Sequence, residues 1–112
     1  MLIAENGRWR IRCRTDRGDE DYALTMAEGR FTFYLHGKAE KITFVRALQK
    51  IKKEAQENGT NLFFIAFGGY FGIWLTLEDI DFMLASLPMT EAERQVSISQ
   101  EYDISSATVT KH

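Results

Sequence analysis

The 112-residue chain predicts an α+β fold: an antiparallel sheet of about five strands in the order βββαββα, with two helices packed on one face and a polar C-terminal tail. Three observations predict it. Between residues 8 and 36 apolar and polar residues alternate, the period of half-buried strands. From 41 to 58 apolar residues recur at spacings of three and four, the period of an amphipathic helix. A second apolar stretch, 62–75, is interrupted by Gly68-Gly69 and followed by a second helical stripe.

Taken in order, RWRIRCR (8–14) sets Trp9, Ile11 and Cys13 on one side of a strand and Arg8, Arg10, Arg12 and Arg14 on the other. The polar TDRGDED stretch turns the chain at Gly18. YALTM (22–26) then faces Tyr22, Leu24 and Met26 inward, with Ala23 and Thr25 outward. After Glu28-Gly29, RFTFYLH (30–36) points Phe31, Phe33 and Leu35 in, and Arg30, Thr32, Tyr34 and His36 out. Three short strands with short turns make an antiparallel meander whose polar face meets water.

Gly37 ends the meander. Phe44, Val45, Leu48, Ile51 and Ala55 form the buried stripe of a helix over 41–58, which Asn58-Gly59 stops. Its polar side carries Arg46, Lys50, Lys52 and Lys53. LFFIAF and YFGIWL are two strands of a hairpin, since Gly-Gly accepts the positive φ angles of a tight turn. Thr76 with Asp79 three residues later is a capping box opening the second helix, with Ile80, Met83, Leu84 and Leu87 buried and Pro88 closing it. Residues 1–88 therefore read as a single domain, and 89–112 as a polar tail or short helices, with Thr90 and Glu93 able to cap one.

Composition bounds the function. With 45% apolar and 27% charged residues, the chain resembles ordinary globular proteins. A single cysteine, Cys13, excludes an internal disulfide and a cysteine-based metal site. The most apolar run, residues 62–75, falls short of the roughly 20 residues of a membrane helix. MLIAENGRW lacks the apolar run of a signal peptide, so the expected location is cytoplasmic and no membrane partner is expected. The net charge of −2 hides an asymmetry: residues 1–60 hold 12 Lys/Arg against 9 Asp/Glu, and residues 61–112 hold 2 against 7.

The arginine row carries the functional reading. Alternate strand residues lie about 6.6 Å apart, so neighbouring charges repel by roughly 0.6 kcal/mol in water. Countercharge must come from the fold or from outside. Asp16, Asp19, Glu20 and Asp21 in the adjoining turn are placed to reach Arg14 and Arg12, whereas Arg8 and Arg10 have no local carboxylate. If the meander is correct, Arg30, Tyr34 and His36 join the same face. Arginines beside an aromatic ring on one sheet face suit phosphates and a stacked base. The leading expectation is a non-enzymatic nucleic-acid-binding or regulatory module using Arg8, Arg10, Arg12, Arg14, Arg30 and Tyr34, with no cofactor and no metal.

The alternative is a protein-binding module, such as an inhibitor or immunity-type factor or a subunit of an assembly. It would use the acidic half (Glu78, Asp79, Asp81, Glu91, Glu93) and those aromatics among Phe63, Phe64, Phe67, Tyr70, Phe71 and Trp74 that cannot all face one core, and it includes a homodimer. SQEYDISSATVTK (99–111) resembles the later part of a helix-turn-helix, with Val109 at the apolar position of a recognition helix; Asp103 stands where that motif usually has Gly, and a solvated tail is the default reading. Catalytic sets do not assemble: His36 is a lone strand histidine, Cys13 lies on the inner face, and GGYFG lacks the lysine of a phosphate loop.

Overall fold

The computed structural model describes residues 1–16, 18–26, 29, 31–67, 71–87 and 89–95. Strands β1 (Leu2–Glu5), β2 (Trp9–Asp16), β3 (Asp19–Met26) and β4 (Thr32–His36) form an antiparallel sheet in chain order. The β2–β3 register runs from Trp9 opposite Met26 to Asp16 opposite Asp19. Ala23 lies opposite Tyr34 and Leu24 opposite Phe33. Because side chains alternate across a strand, this register collects Trp9, Ile11, Leu24, Phe33 and Leu35 on one buried face.

β1 is a strand the alternation did not predict. Its pairing with β2 shifts between Leu2 and Ala4, a β-bulge that leaves Ile3 extra. That extra residue breaks the period of two, so LIAE shows no strand pattern in the sequence. Met1 completes the ladder: its nitrogen donates to the Cys13 carbonyl at 3.0 Å, and its carbonyl accepts from the Cys13 N–H at 2.8 Å.

Helix α1 (Gly37–Asn58) begins four residues before the predicted helix start at residue 41. Gly37 opens it rather than merely ending the meander. Its φ of +80° turns the chain out of β4, and its N–H donates to Asp21 Oδ1 at 3.0 Å. Gly59 closes the helix in the left-handed region (φ +68°), donating to the Ala55 carbonyl at 2.8 Å. The predicted stripe of Phe44, Val45, Leu48, Ile51 and Ala55 is buried, with the Phe44 ring 5.4 Å from that of Phe33 on the sheet. Burying each large apolar side chain contributes about 1.5–3 kcal/mol over leaving it in water.

Strands β5 (Leu62–Phe67) and β6 (Phe71–Thr76) pair with each other as a separate two-stranded sheet instead of extending the meander. Phe63, Ile73 and Leu75 enter the core. Helix α2 (Leu77–Ser86) starts at the Thr76–Asp79 capping box, and Ile80 and Met83, with Leu87 just beyond the helix, are buried. A four-residue helix α3 (Glu91–Arg94) has its own box, Thr90 with Glu93. The architecture is thus α+β, with a four-stranded sheet, a two-stranded sheet and three helices. Among the described residues, no helix is long and apolar enough to cross a membrane. Arg30, the Gly68-Gly69 turn, Pro88 and the helix-turn-helix-like stretch 99–111 lie outside the described residues.

Candidate nucleic-acid interface

The sheet's outer face is built by the register. Three rows cross it: Arg10–Thr25–Thr32, Arg12–Ala23–Tyr34 and Arg14–Asp21–His36. Arg10, Arg12, Arg14, Tyr34 and His36 are exposed, so the face is open to solvent. Tyr34 is 57% exposed and its ring stacks on His36, with centroids 5.8 Å apart and planes 15° from parallel. Ala23 has no side chain beyond Cβ, which leaves a shallow track between the tyrosine and Arg12, two strands and about 9.6 Å away. Thr25 and Thr32 share a hydroxyl hydrogen bond at 3.0 Å.

The arginines divide in the reverse of the expected way. Arg8 is not on the strand. It precedes β2, and its Nε and a terminal nitrogen grip Asp79 at 2.9 and 3.1 Å. Arg10 Nε donates to Glu5 Oε2 at 2.6 Å, a carboxylate supplied by β1. The two arginines without a local acid therefore find distant or unpredicted ones.

Three of the turn acids, Asp19, Glu20 and Asp21, are engaged elsewhere, and the Asp16 side chain lies outside the described residues. Asp21 lies opposite Arg14 in register, but its carboxylate accepts from Gly37 N and approaches His36 Nδ1 at 3.8 Å. Asp19 lies against Gly37. Glu20 accepts the Tyr22 hydroxyl at 2.7 Å. Arg12 and Arg14 consequently have no carboxylate partner among the described residues. Of the six residues expected to form the site, Arg10, Arg12, Arg14 and Tyr34 share the open face, and Arg10 is held by Glu5. Arg8 is drawn away to α2, and Arg30 lies outside the described residues.

Asp79 shows why Arg8 is structural. The Asp79 side chain is buried and serves as the third residue of the α2 box, accepting from Thr76 N at 2.9 Å. Burial would raise its pKa. The Arg8 hydrogen bond and those from Thr76 outweigh it and hold the carboxyl below its ordinary value. Glu93 repeats the device in α3: it accepts from Thr90 N at 3.0 Å and meets buried Lys41 at 2.7 Å. Burial opposes its ionisation, while Lys41 and Thr90 favour it, with a net lowering. Asp81 pairs with Lys52 at 2.9 Å. Glu91 meets Arg94 at 3.9 Å, so of the five acids considered for a protein-facing surface two are buried in ion pairs and two more are paired at the surface.

The other exposed aromatic group lies on the hairpin. Phe64 and Trp74 are cross-strand partners with ring centroids 5.0 Å apart, and Trp74 is 44% exposed. Among the described residues, no group of three or more His, Cys, Asp or Glu side chains could hold a metal. A further group escaped the sequence reading: Tyr22, Lys41 and Glu93 beside Cys13, in a cleft on the sheet's inner face. Its signal was present in Lys41, which stands three and four residues before Phe44 and Val45 and so falls on the apolar stripe of α1. No protein-family model matches the chain, and no curated protein or solved structure is detectably similar to it.

Proposed function

We propose that the outer sheet face binds single-stranded nucleic acid and performs no chemistry on it. The observation that carries this reading is the pair Arg12 and Arg14, exposed and without carboxylate partners among the described residues, on the same open face as the exposed Tyr34 ring. Repulsion between the two charges disfavours the free protein, and phosphates relieve it. A base stacks on Tyr34, with Arg12 across the Ala23 track receiving the backbone. The contact set is smaller than the six expected residues: Arg12, Arg14 and Tyr34 lead, and Arg10 takes part only by giving up Glu5. Stacking makes the site tolerant of sequence, and an open four-stranded sheet face suits an unpaired strand whose bases can stack on a side chain.

The test is fluorescence anisotropy of labelled single- and double-stranded DNA and RNA over a salt series. Two phosphate contacts give a slope of log K against log salt of about −1.4 on single strands. Arg12→Ala/Arg14→Ala should flatten it. Tyr34→Ala should weaken binding by about 1–3 kcal/mol, the value of one stacked base. Lys53→Ala, on the exposed side of α1, is the control. Binding that survives all three site substitutions would move the interface elsewhere.

A second reading, a protein-binding module, is favoured by the Phe64–Trp74 pair on the hairpin's outer surface, since exposed tryptophan is a frequent interface anchor. Trp74→Ala tests it. A loss of self-association by sedimentation, with nucleic-acid binding unchanged, would assign that surface to a second copy of the chain.

A further inference from the structure

A cleft of about 700 Å³ opens on the inner side of the sheet, away from the arginine face. This volume lies within the roughly 300–1,000 Å³ of small-molecule sites. Strands β1 to β3 form one wall, the first turns of α1 a second, and α3 a third. Its surface is mainly apolar, with Ile3, Ile42 and Ala92 among the residues that line it.

Four charged side chains line the cleft, and their pairing is uneven. Lys41 and Glu93 neutralise each other at 2.7 Å and are both buried. They make a locked, neutral part of the wall. Glu20 accepts the Tyr22 hydroxyl at 2.7 Å and has no cationic partner among the described residues. Burial, and then that hydrogen bond, push the Tyr22 hydroxyl well above the ordinary tyrosine range, so it remains a donor at neutral pH. Lys38 is exposed and has no carboxylate partner among the described residues. One carboxylate and one ammonium without an ionic partner among the described residues therefore line a cleft whose surface is mainly apolar.

We propose that this cleft binds a small zwitterion with an apolar body, an α-amino acid of the leucine or phenylalanine class. The ligand carboxylate meets Lys38, its ammonium meets Glu20, and its side chain covers Ile3, Ile42 and Ala92. A simple anion would satisfy Lys38 but face Glu20; a simple cation would do the reverse. Only a ligand carrying both charges meets both. The inference is independent of the nucleic-acid reading, because the two sites lie on opposite faces of the sheet.

The experiment is calorimetric titration of the full chain with L-phenylalanine and L-leucine, alongside N-acetylphenylalanine and phenylalaninamide, which each lack one charge. Location is read from Cys13, the chain's only cysteine, which lines the same cleft. The free amino acids should bind and slow its alkylation by iodoacetamide, and each derivative should bind at least about tenfold more weakly, the loss of roughly 1.4 kcal/mol. Ala92→Trp, at an exposed position of α3, should fill the cleft and abolish binding while the far-ultraviolet circular dichroism stays unchanged. Absence of binding at 10 mM ligand overturns the proposal. So does equal binding of either derivative, or binding that Ala92→Trp leaves intact.

Discussion

Two carboxylates each do two jobs. Asp79 and Glu93 stand third in a capping box, where a threonine three residues earlier makes the role legible, and each also receives a cation from a distant element. The box was visible at i to i+3; the cation, 71 residues away for Asp79, was not. Arg8→Ala should cost about 1–2 kcal/mol. Asp79 would be left buried and short of its cation, but Arg8 is half exposed and the Thr76 bonds remain, so the cost falls below that of a fully buried pair. Asp79→Ala should cost about 2–3 kcal/mol, because the carboxylate half of the capping box, the bond from Thr76 N, is lost as well. Urea unfolding of both variants and of the double variant would give the coupling directly. The same pair sets a pH dependence. A carboxyl held below its unfolded value stabilises the fold fully above the ordinary carboxylate range and loses that contribution as pH falls through the folded value. Stability should therefore hold from pH 7 to about 5 and decline below it. Asp79→Asn should reduce that decline, as read by urea midpoints between pH 7 and 3.

Individual elements depend on a few positions where a side chain has no room. At Gly37 the φ of +80° already strains any side chain, and a Cβ there would also meet Asp19 Oδ2 at 3.2 Å. Gly37→Ala should cost about 1–3 kcal/mol and disturb the start of α1, measurable as a fall in Tm. At Gly72 a Cβ would overlap the Phe64 ring, with Cε2 at 2.7 Å and Cε1 at 2.8 Å. Phe64 thus lies over the glycine of the neighbouring strand. Gly72→Ala should destabilise the hairpin, and Phe64→Ala in the same chain should recover part of the loss by clearing the space. An additive loss in the double variant would show that the ring is not the obstacle. α3 is short and held by Lys41–Glu93 and by Arg46 donating to the Arg94 carbonyl at 3.0 Å. Lys41→Met keeps the apolar stem but leaves Glu93 without its cation. The helix can release locally, so the effect should appear as about tenfold faster tryptic cleavage after Arg94, not as global unfolding.

Across the whole molecule, the fold separates structural arginines from unused ones. Arg8 ties the turn before β2 to α2, and Arg10 ties β2 to β1, while Arg12 and Arg14 have no carboxylate partner among the described residues. Arg12→Ala/Arg14→Ala should therefore leave stability within about 0.5 kcal/mol of the parent, or raise it slightly by removing the repulsion of Arg12 with its neighbours Arg10 and Arg14. A large loss on thermal denaturation would mean that the two residues are structural after all. The overall charge of −2 adds no general attraction for a polyanion, so binding at the outer face rests on local charge and stacking.

Local pattern alone determined much of this protein. The alternation of residues 9–35 placed the inner and outer rows of the meander, the three-and-four spacing of 44–55 placed the buried stripe of α1, and Thr76 with Asp79 marked where α2 starts. Those features are legible because backbone periodicity and capping act over a few residues. The bulged strand β1, the separation of the hairpin into its own sheet, and the sharing of carboxylates were decided by packing. Charge pairing depends on distance in space, and chain separation gives no measure of it. Of the turn acids next to the arginines, Asp21 went to the first residue of α1 and Glu20 to Tyr22, while acids from β1 and α2 came to Arg10 and Arg8. Among the described residues, Arg12 and Arg14 are left without a carboxylate on the outer face because Asp19, Glu20 and Asp21 meet other groups in three dimensions.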